Sequence, residues 1–426
     1  MLDVILIKVL NKLTPTFMDI LNKLLKIITA EVLLKAIVAF ISIAIIRFMP
    51  IKEYADYILV LSITGIVVSV IGSSINRIYI VSETDRDTSS TTSFLSFQVL
   101  LIFIIFIVLY QIKLCNQNVC YMFLIYSITS ILFMFVSTVY QRDLKFRLYY
   151  LSNLINTLIM ICLFIAALVY MKYQISAKAM INIQSLSFLI VFLILGFNLL
   201  KIQEFFSIRN NVSFLRKMLL SEYAYVFFYS SIVTFLLNTD VVMLRSLGND
   251  RNLAEFGAGF RYYSVLTIVL TSVHTLFLPL VQKTNSFEKI IDIVNQHHKL
   301  VLLLIPIILI GIVLAPFIFP IIDGGKYPNS VYVFQILSVS ALISFAFSPH
   351  SNFLMKYKRF KYLLAIVSIG FVIHIIANLF VIPKFHEIGA AIVNTAIYGF
   401  VNYMFYRKSK KLIANEKAQL ESGAVK

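Results

Sequence analysis

Twelve apolar stretches, each about as long as a membrane-spanning helix, dominate the sequence. A helix needs roughly 20 mainly apolar residues to cross the hydrocarbon core of a bilayer. The stretches cover residues 27–48, 54–75, 93–112, 120–140, 149–171 and 177–200, and then 219–244, 253–281, 299–322, 331–355, 362–382 and 388–406. They lack the alternation of outer-membrane strands. The pattern therefore predicts an all-α, polytopic membrane protein with about twelve transmembrane helices.

The composition excludes several other classes of protein. Hydrophobic residues make up 60% of the chain and charged residues only 13%, which rules out a water-soluble enzyme and a disordered chain. Three cysteines cannot build a disulfide framework or a four-thiolate zinc site. Because the connections between the stretches are short, they leave no room for a soluble catalytic domain. We expect no enzymatic activity, no cofactor and no metal site.

The net charge of +17 would suggest a nucleic-acid partner in a soluble protein. Here the distribution of the positive charges indicates the orientation of the chain in the membrane. With the amino terminus placed inside, 26 of the 37 Lys and Arg residues fall on the inner side and 10 on the outer side. This positive-inside bias predicts that both termini are cytoplasmic. The basic tail, residues 407–426, is expected to contact anionic membrane lipids rather than nucleic acid.

The segments outside the apolar stretches are few. Residues 1–26 are apolar but interrupted by lysines and Pro15, so they predict an amphipathic helix on the inner membrane face rather than a signal peptide. Residues 201–218 form a predicted cytoplasmic linker. Cys115 and Cys120 share a predicted outer loop, where they are either bridged or two free thiols.

Two sequence segments suggest an internal repeat. YQRDLKFRLYY around Tyr140 and MKYKRFKYLL around Met355 both read as a helix end, a basic aromatic turn and a new helix. Arg142 and Lys356, which begin the two basic turns, are 214 residues apart, about half the chain. We therefore predict two six-helix halves, residues 27–200 and 219–406, around a central cavity.

Three longer segments carry a resemblance to a known family. They are NLFVIPKFHEIGAAIVN (378–394), NTDVVMLRSLGNDRNLAEFGAGFRYYSV (238–265) and RFMPIKEYADYILVLSI (47–63). They resemble the O-antigen and polysaccharide flippases of the multidrug/oligosaccharidyl-lipid/polysaccharide exporter (MOP) superfamily. The sequence departs from that pattern at His386 and Glu387, which replace the usual small residues before Gly389.

The resemblance implies a flippase of the bacterial inner membrane. Its substrate would be an undecaprenyl-pyrophosphate-linked oligosaccharide, moved by alternating access with H⁺ or Na⁺ as coupling ion. A polysaccharide polymerase and a chain-length regulator are the protein partners it suggests. A multidrug or peptidoglycan-precursor exporter of the same superfamily is the alternative. A membrane polysaccharide polymerase or glycosyltransferase is the alternative from a different class, although it would need an exposed catalytic loop.

Cations inside the apolar stretches are the candidate substrate ligands, because a charge in the bilayer is costly and calls for a reason. Lys35 and Glu31 are spaced i, i+4, so they either pair with each other or leave Lys35 facing the cavity. Arg77 either extends to the interface or binds substrate. Arg261 has no carboxylate nearby in sequence except Glu255. Because exporters of the resembled superfamily place cationic residues in this part of the cavity, the resemblance implies that Arg261 is the strongest candidate for the diphosphate.

Other ionisable groups are candidates for ion coupling. Asp240 is either a structural partner of Arg261 or Arg245, or a coupling site. His350 and His374 are either hydrogen-bonded packing residues or proton-relay groups. The pair His297 and His298 falls in a predicted inner connection and is expected to be solvated.

Overall fold

The computed structural model describes residues 37–74, 76, 89–111, 116–143, 145–172, 174–200, 223–283 and 287–421. Every regular element in these ranges is helical, which confirms the predicted all-α class. The predicted amphipathic lead (1–26), the linker (201–218) and Cys115 lie outside the described residues.

Six helical segments form the first half of the described chain. They are α1 (Ile37–Phe48), α2 (Ile51–Val68), α3 (Ser89–Gln111), α4 (Gln117–Arg142), α5 (Phe146–Tyr170) and α6 (Ala177–Val191). Two of them continue in wider turns. A π-helical turn, Ser69–Ser74, follows α2, and another, Phe192–Gly196, follows α6.

Six more segments form the second half of the described chain. They are α7 (Tyr223–Leu247), α8 (Asp250–Lys283), α9 (Phe287–Asp323), α10 (Ser330–Lys356) and a helical run, Phe360–Glu421, that His386 divides into α11 (360–385) and α12 (387–421). The twelve segments follow the twelve predicted stretches in order. Many are long and apolar enough to cross a membrane.

Apolar side chains cover the outside of the bundle. Phe40, Phe317 and Phe380 are each more than two-thirds exposed, on three different helices. Such a surface is unstable in water and is expected where a bilayer is the solvent. The chain is therefore a multi-pass membrane protein.

One predicted connection is largely helical. The expected inner loop 283–299 is occupied by the end of α8 and the start of α9, apart from residues 284–286, which are not described. Val294 and His297 lie one turn apart on a buried face of α9, and the His297 ring contacts the Phe345 carbonyl at 2.8 Å. The prediction that His297 is solvated was wrong, because an apolar face extends α9 beyond the membrane-length run.

The same packing pattern recurs in both halves. In the first half, α4 contacts α2, α3, α5 and α6; in the second, α10 contacts α8, α9 and the α11–α12 run. The two halves meet along α2, which packs on α7 and α8. Two glycines permit this approach: a Cβ at Gly65 would lie 3.3 Å from Asn238 Oδ1, and one at Gly257 would lie 2.8 Å from Ile58 Cγ1.

The turn between α11 and α12 lies where the sequence departs from the family pattern. His386 has φ 51° and ψ −133°, a backbone conformation that favours glycine. Glu387 follows it and is buried, where its carboxylate accepts hydrogen bonds from Asn252 Nδ2 at 2.7 Å and Asn329 Nδ2 at 2.6 Å. These contacts to α8 and to the α9–α10 connection hold the turn in place.

Candidate functional site

A polar cavity of about 320 Å³ lies between the two halves. Helices α2 and α4 line it from the first half, and α7 and α8 from the second. Its polar lining comprises Ser62, Thr64, Ser69, Tyr126, Ser130, Asn238 and Arg261. The cavity is therefore built at the place where relative movement of the two halves would change its shape.

Arg261 supplies the charge of this cavity. It is partly buried on α8 and is the charged member of the described lining residues. Gly257 lies one turn earlier on the same face, which directs this face of α8 toward α2. Among the described residues, no carboxylate lies within ion-pair distance of the guanidinium, whereas Arg245 and Arg251 both have acidic partners. A partly buried cation without a counter-ion favours an anionic ligand.

Two tyrosines of the first half lie near Arg261. The hydroxyls of Tyr57 and Tyr126 lie within electrostatic range of Arg261. Tyr57 is held by Gln184, whose Nε2 donates to its hydroxyl at 2.9 Å. Tyr126 stacks on Phe188 with ring centroids 5.8 Å apart. Tyr126, which lines the cavity, adds a polar hydroxyl without adding a second charge.

A second polar site lies inside the second half. Asp240 on α7 is fully buried, and its carboxylate accepts hydrogen bonds from Asn378 Nδ2 on α11 and Asn394 Nδ2 on α12, both at 2.7 Å. His374, one turn before Asn378, places its Nε2 2.8 Å from Asp240 Oδ1. All four side chains are buried. We name this group the Asp240 cluster.

The structure shows where the ionisable residues singled out from the sequence lie. Asp240 and His374, proposed separately, are in direct contact. Asp240 contacts neither Arg261 nor Arg245, so neither of the two expected ion-pair partners is the observed one. His350 lies elsewhere, with its Nδ1 2.7 Å from Ser409 Oγ.

Several candidates cannot be placed in the site. Lys35, Glu31 and Arg77 lie outside the described residues. Asn378 and Asn394 were missed, although both fall within the segment that carries the family resemblance. A buried amide in an apolar helix would have been the signal, since such groups need a polar partner.

An ion pair joins the halves at one end of the bundle, where α7 ends and α8 begins. Arg245 on α7 bonds Asp56 on α2 at 3.0 Å and also pairs with Asp250. Nearby, Arg47 Nη1 donates to the Ile321 carbonyl at 2.8 Å, which connects α1 to α9. We call this the Arg245 end. Contacts across both pairs of helices hold the two halves together there.

A buried tyrosine adds an apolar contact at the Arg245 end. Tyr327, in the connection between α9 and α10, packs on Tyr54 of α2 with ring centroids 5.5 Å apart. Burial, together with the charges of Asp323 and Glu255, raises the pKa of Tyr327. Its phenol is therefore neutral at physiological pH and contributes packing rather than charge.

Comparison with solved structures identifies the fold. Lipid II flippase MurJ in an inward closed conformation superposes with a TM-score of 0.72 at 14% identity, over 90% of this chain and 87% of MurJ. A multidrug resistance MATE family transporter of the MOP superfamily, in an inward-facing conformation, gives a TM-score of 0.60 at 12% identity, over 90% of this chain and 95% of that one. This chain shares the fold of these two proteins.

A further match agrees with this fold. A mutant of the Vibrio cholerae MATE transporter VcmN gives a TM-score of 0.62 at 11% identity, over 94% of this chain and 99% of that one. No protein-family model and no curated protein sequence matches the chain. The likeness is therefore one of fold, shared at very low sequence identity.

Proposed function

We propose that this chain is a MOP-type flippase that moves an undecaprenyl-pyrophosphate-linked oligosaccharide across the bacterial inner membrane by alternating access. Such a substrate combines an anionic diphosphate, hydrated sugars and an apolar chain that prefers the bilayer. It requires a polar, cationic cavity between two movable halves. The observation that carries the proposal is Arg261, a cation without an acidic partner among the described residues, in the cavity between the halves.

In this proposal the Arg245 end faces the periplasm, because both termini are expected in the cytoplasm. The ion pair between Arg245 and Asp56 then represents an outer gate. Substrate would enter from the cytoplasmic side, and release would require these contacts to break while the halves close at the other end.

The Asp240 cluster is our candidate for the site that binds the coupling ion, H⁺ or Na⁺. Asn238 and Asp240 are two residues apart on α7, about 200° around the helix. Asn238 lines the cavity between the halves, while Asp240 faces α11 and α12. A change of charge at Asp240 would therefore act on the same helix that lines the substrate cavity. A buried carboxylate between an imidazole and two amides suits this role, since neutralising it alters its contacts with all three.

Reconstitution tests the proposal directly. Purified full-length protein is placed in liposomes with a fluorescent lipid-linked oligosaccharide, and translocation is followed by a quencher that cannot cross the membrane. We expect Arg261→Ala to lower the rate about tenfold or more, and Arg261→Lys to retain part of it. Lys178→Ala is the control, because Lys178 is an exposed cation on α6. Equal rates for Arg261→Ala and Lys178→Ala would contradict the cavity assignment.

Two further arms address the alternatives. A peptidoglycan precursor shares the lipid diphosphate, so it is offered in the same liposomes and compared by rate. If the precursor is translocated faster, it replaces the oligosaccharide as the proposed substrate, and the role of Arg261 is unchanged. Mass analysis of the recovered lipids tests the enzyme alternative, because a polymerase or glycosyltransferase would change the glycan and a flippase would return it unaltered.

A further inference from the structure

A second and larger cavity, of about 590 Å³, lies within the second half. Side chains from α7, α8, α10, α11 and α12 line it. None of its described lining residues is charged, and most are apolar or aromatic, including Leu236, Phe345, Val401 and Phe405. A chamber of this kind disfavours a diphosphate, because a charge would lose its hydration there and meet no opposite charge among the described lining residues. It admits an uncharged, apolar group.

The two cavities are neighbours along α8. Phe260 lines both of them, and the next residue, Arg261, lines only the polar one. A cationic chamber and an apolar chamber therefore share one wall. This arrangement matches an amphipathic ligand in which an anionic group is bonded directly to an apolar chain.

We propose that the second cavity binds the part of the polyprenyl chain next to the diphosphate while the diphosphate lies at Arg261. This inference rests on the proposed function and adds a chain-recognition site to it. A cavity of this size holds only a short part of such a chain, so the remainder stays in the bilayer.

The gain in binding free energy comes from packing against fixed side chains. It does not come from removing the chain from water, because bilayer lipid is as apolar as the cavity. Aromatic rings such as Tyr263 and Phe345 offer rigid surfaces. Tethering to the bound diphosphate supplies the chain at high effective concentration. The site would thereby distinguish a polyprenyl diphosphate from a soluble diphosphate.

The test compares three probes on the purified full-length protein: inorganic pyrophosphate, geranylgeraniol and geranylgeranyl diphosphate. Ala341→Phe on α10 and Val401→Phe on α12 fill the cavity from two different helices. Val339→Phe is the matched control, since Val339 is 45% exposed on α10 and does not line the cavity. Thermal unfolding verifies that each variant is folded.

For the wild type, we expect geranylgeranyl diphosphate to bind about tenfold more tightly than pyrophosphate. Both cavity-filling variants should lose most of this difference and leave pyrophosphate affinity within about twofold. Val339→Phe should behave as the wild type. If folded Ala341→Phe and Val401→Phe retain the full difference, the chain site is wrong.

The two proposals fail separately. Loss of pyrophosphate binding in Arg261→Ala, with no effect of either cavity-filling variant, would overturn only the chain site. Pyrophosphate and geranylgeranyl diphosphate binding that are both unaffected by Arg261→Ala would overturn the assignment of Arg261 and with it the proposed function. Geranylgeraniol carries no charge, so its binding tests the chain site independently of Arg261. Binding of geranylgeraniol that disappears in Ala341→Phe and persists in Arg261→Ala supports the chain site.

Discussion

The Nε2 atom of His374 lies 2.8 Å from the Oδ1 atom of Asp240, and both side chains are only 1% exposed. The two residues come from α11 and α7, and their contact ties together two helices of the second half. Asn378 completes the arrangement, since its amide lies 2.9 Å from the same His374 nitrogen and 2.7 Å from the same Asp240 oxygen. Such a buried polar group is costly to disturb, because each member loses its partner away from water.

Asp240→Asn should abolish ion-driven transport. Asparagine keeps the size of the side chain and removes the charge, so we expect gradient-driven translocation to fall about tenfold or more while passive exchange persists. Liposomes carrying either a proton or a sodium gradient provide the measurement. Loss with only one gradient identifies the coupling ion. Unchanged transport under both gradients would exclude Asp240 from coupling.

Asn394→Ala is the comparison variant for the Asp240 cluster. It leaves the carboxylate in place and removes one of its donors, so stability should fall by about 1–3 kcal/mol. Coupling should weaken less than in Asp240→Asn. Thermal unfolding in detergent and the same gradient assay separate the two effects. A greater loss of coupling in Asn394→Ala would show that the hydrogen bonds matter more than the charge.

Arg261→Met should stabilise the folded protein while it abolishes transport. A partly buried cation without a counter-ion among the described residues costs free energy, and methionine fills a similar volume without the charge. We expect a gain of about 1 kcal/mol in the free energy of unfolding, measured by thermal or SDS titration. Lys178→Met, on an exposed site, should leave both properties unchanged. A clear loss of stability in Arg261→Met would indicate a structural role instead.

The ion pair between Arg245 and Asp56 should show measurable coupling across the two halves. The side chains are 24% and 17% exposed, so solvent screens the pair only in part. A double-mutant cycle with Arg245→Met and Asp56→Asn should give a coupling of roughly 0.5–1 kcal/mol. Asp250→Asn provides the control for the second acidic partner of Arg245. Strictly additive effects would show that this pair does not hold the halves together.

His386→Gly should raise stability. A non-glycine residue at φ 51° costs about 1–2 kcal/mol, whereas glycine adds about 0.5–1 kcal/mol of backbone entropy to the unfolded chain. The difference predicts a gain of about 0.5 kcal/mol in the free energy of unfolding. His386→Val, which is β-branched, should have the opposite sign. Equal unfolding temperatures for the two variants would mean that the turn relaxes to an ordinary conformation.

Much of the fold was predictable from local pattern. The apolar stretches gave the helices and their order, because a helix in lipid must satisfy its own backbone and present apolar side chains. The break at His386 falls in the gap between the last two predicted stretches, although its conformation was not foreseen. The predicted loop 283–299 was wrong because hydropathy detects the membrane-length run and not the helix that continues beyond it.

The candidate site was predictable only in part. Arg261, Asp240 and His374 stood out as ionisable residues in apolar surroundings, and the structure places all three in or beside buried polar sites. Their partners were not predictable. Asn378 and Asn394 bond to Asp240 across 138 and 154 residues of sequence, and no local spacing encodes such contacts.

Local sequence pattern is enough to establish a bundle of membrane helices with a few charges in costly positions, because hydrophobicity and the energetic penalty of a buried charge are properties of each segment alone. Which charge meets which partner depends on the packing of the helices. The rotation and depth of the helices place Asp240 against His374 and leave Arg261 facing the cavity between the halves. Rotation and depth are set by packing among helices that are distant in the chain.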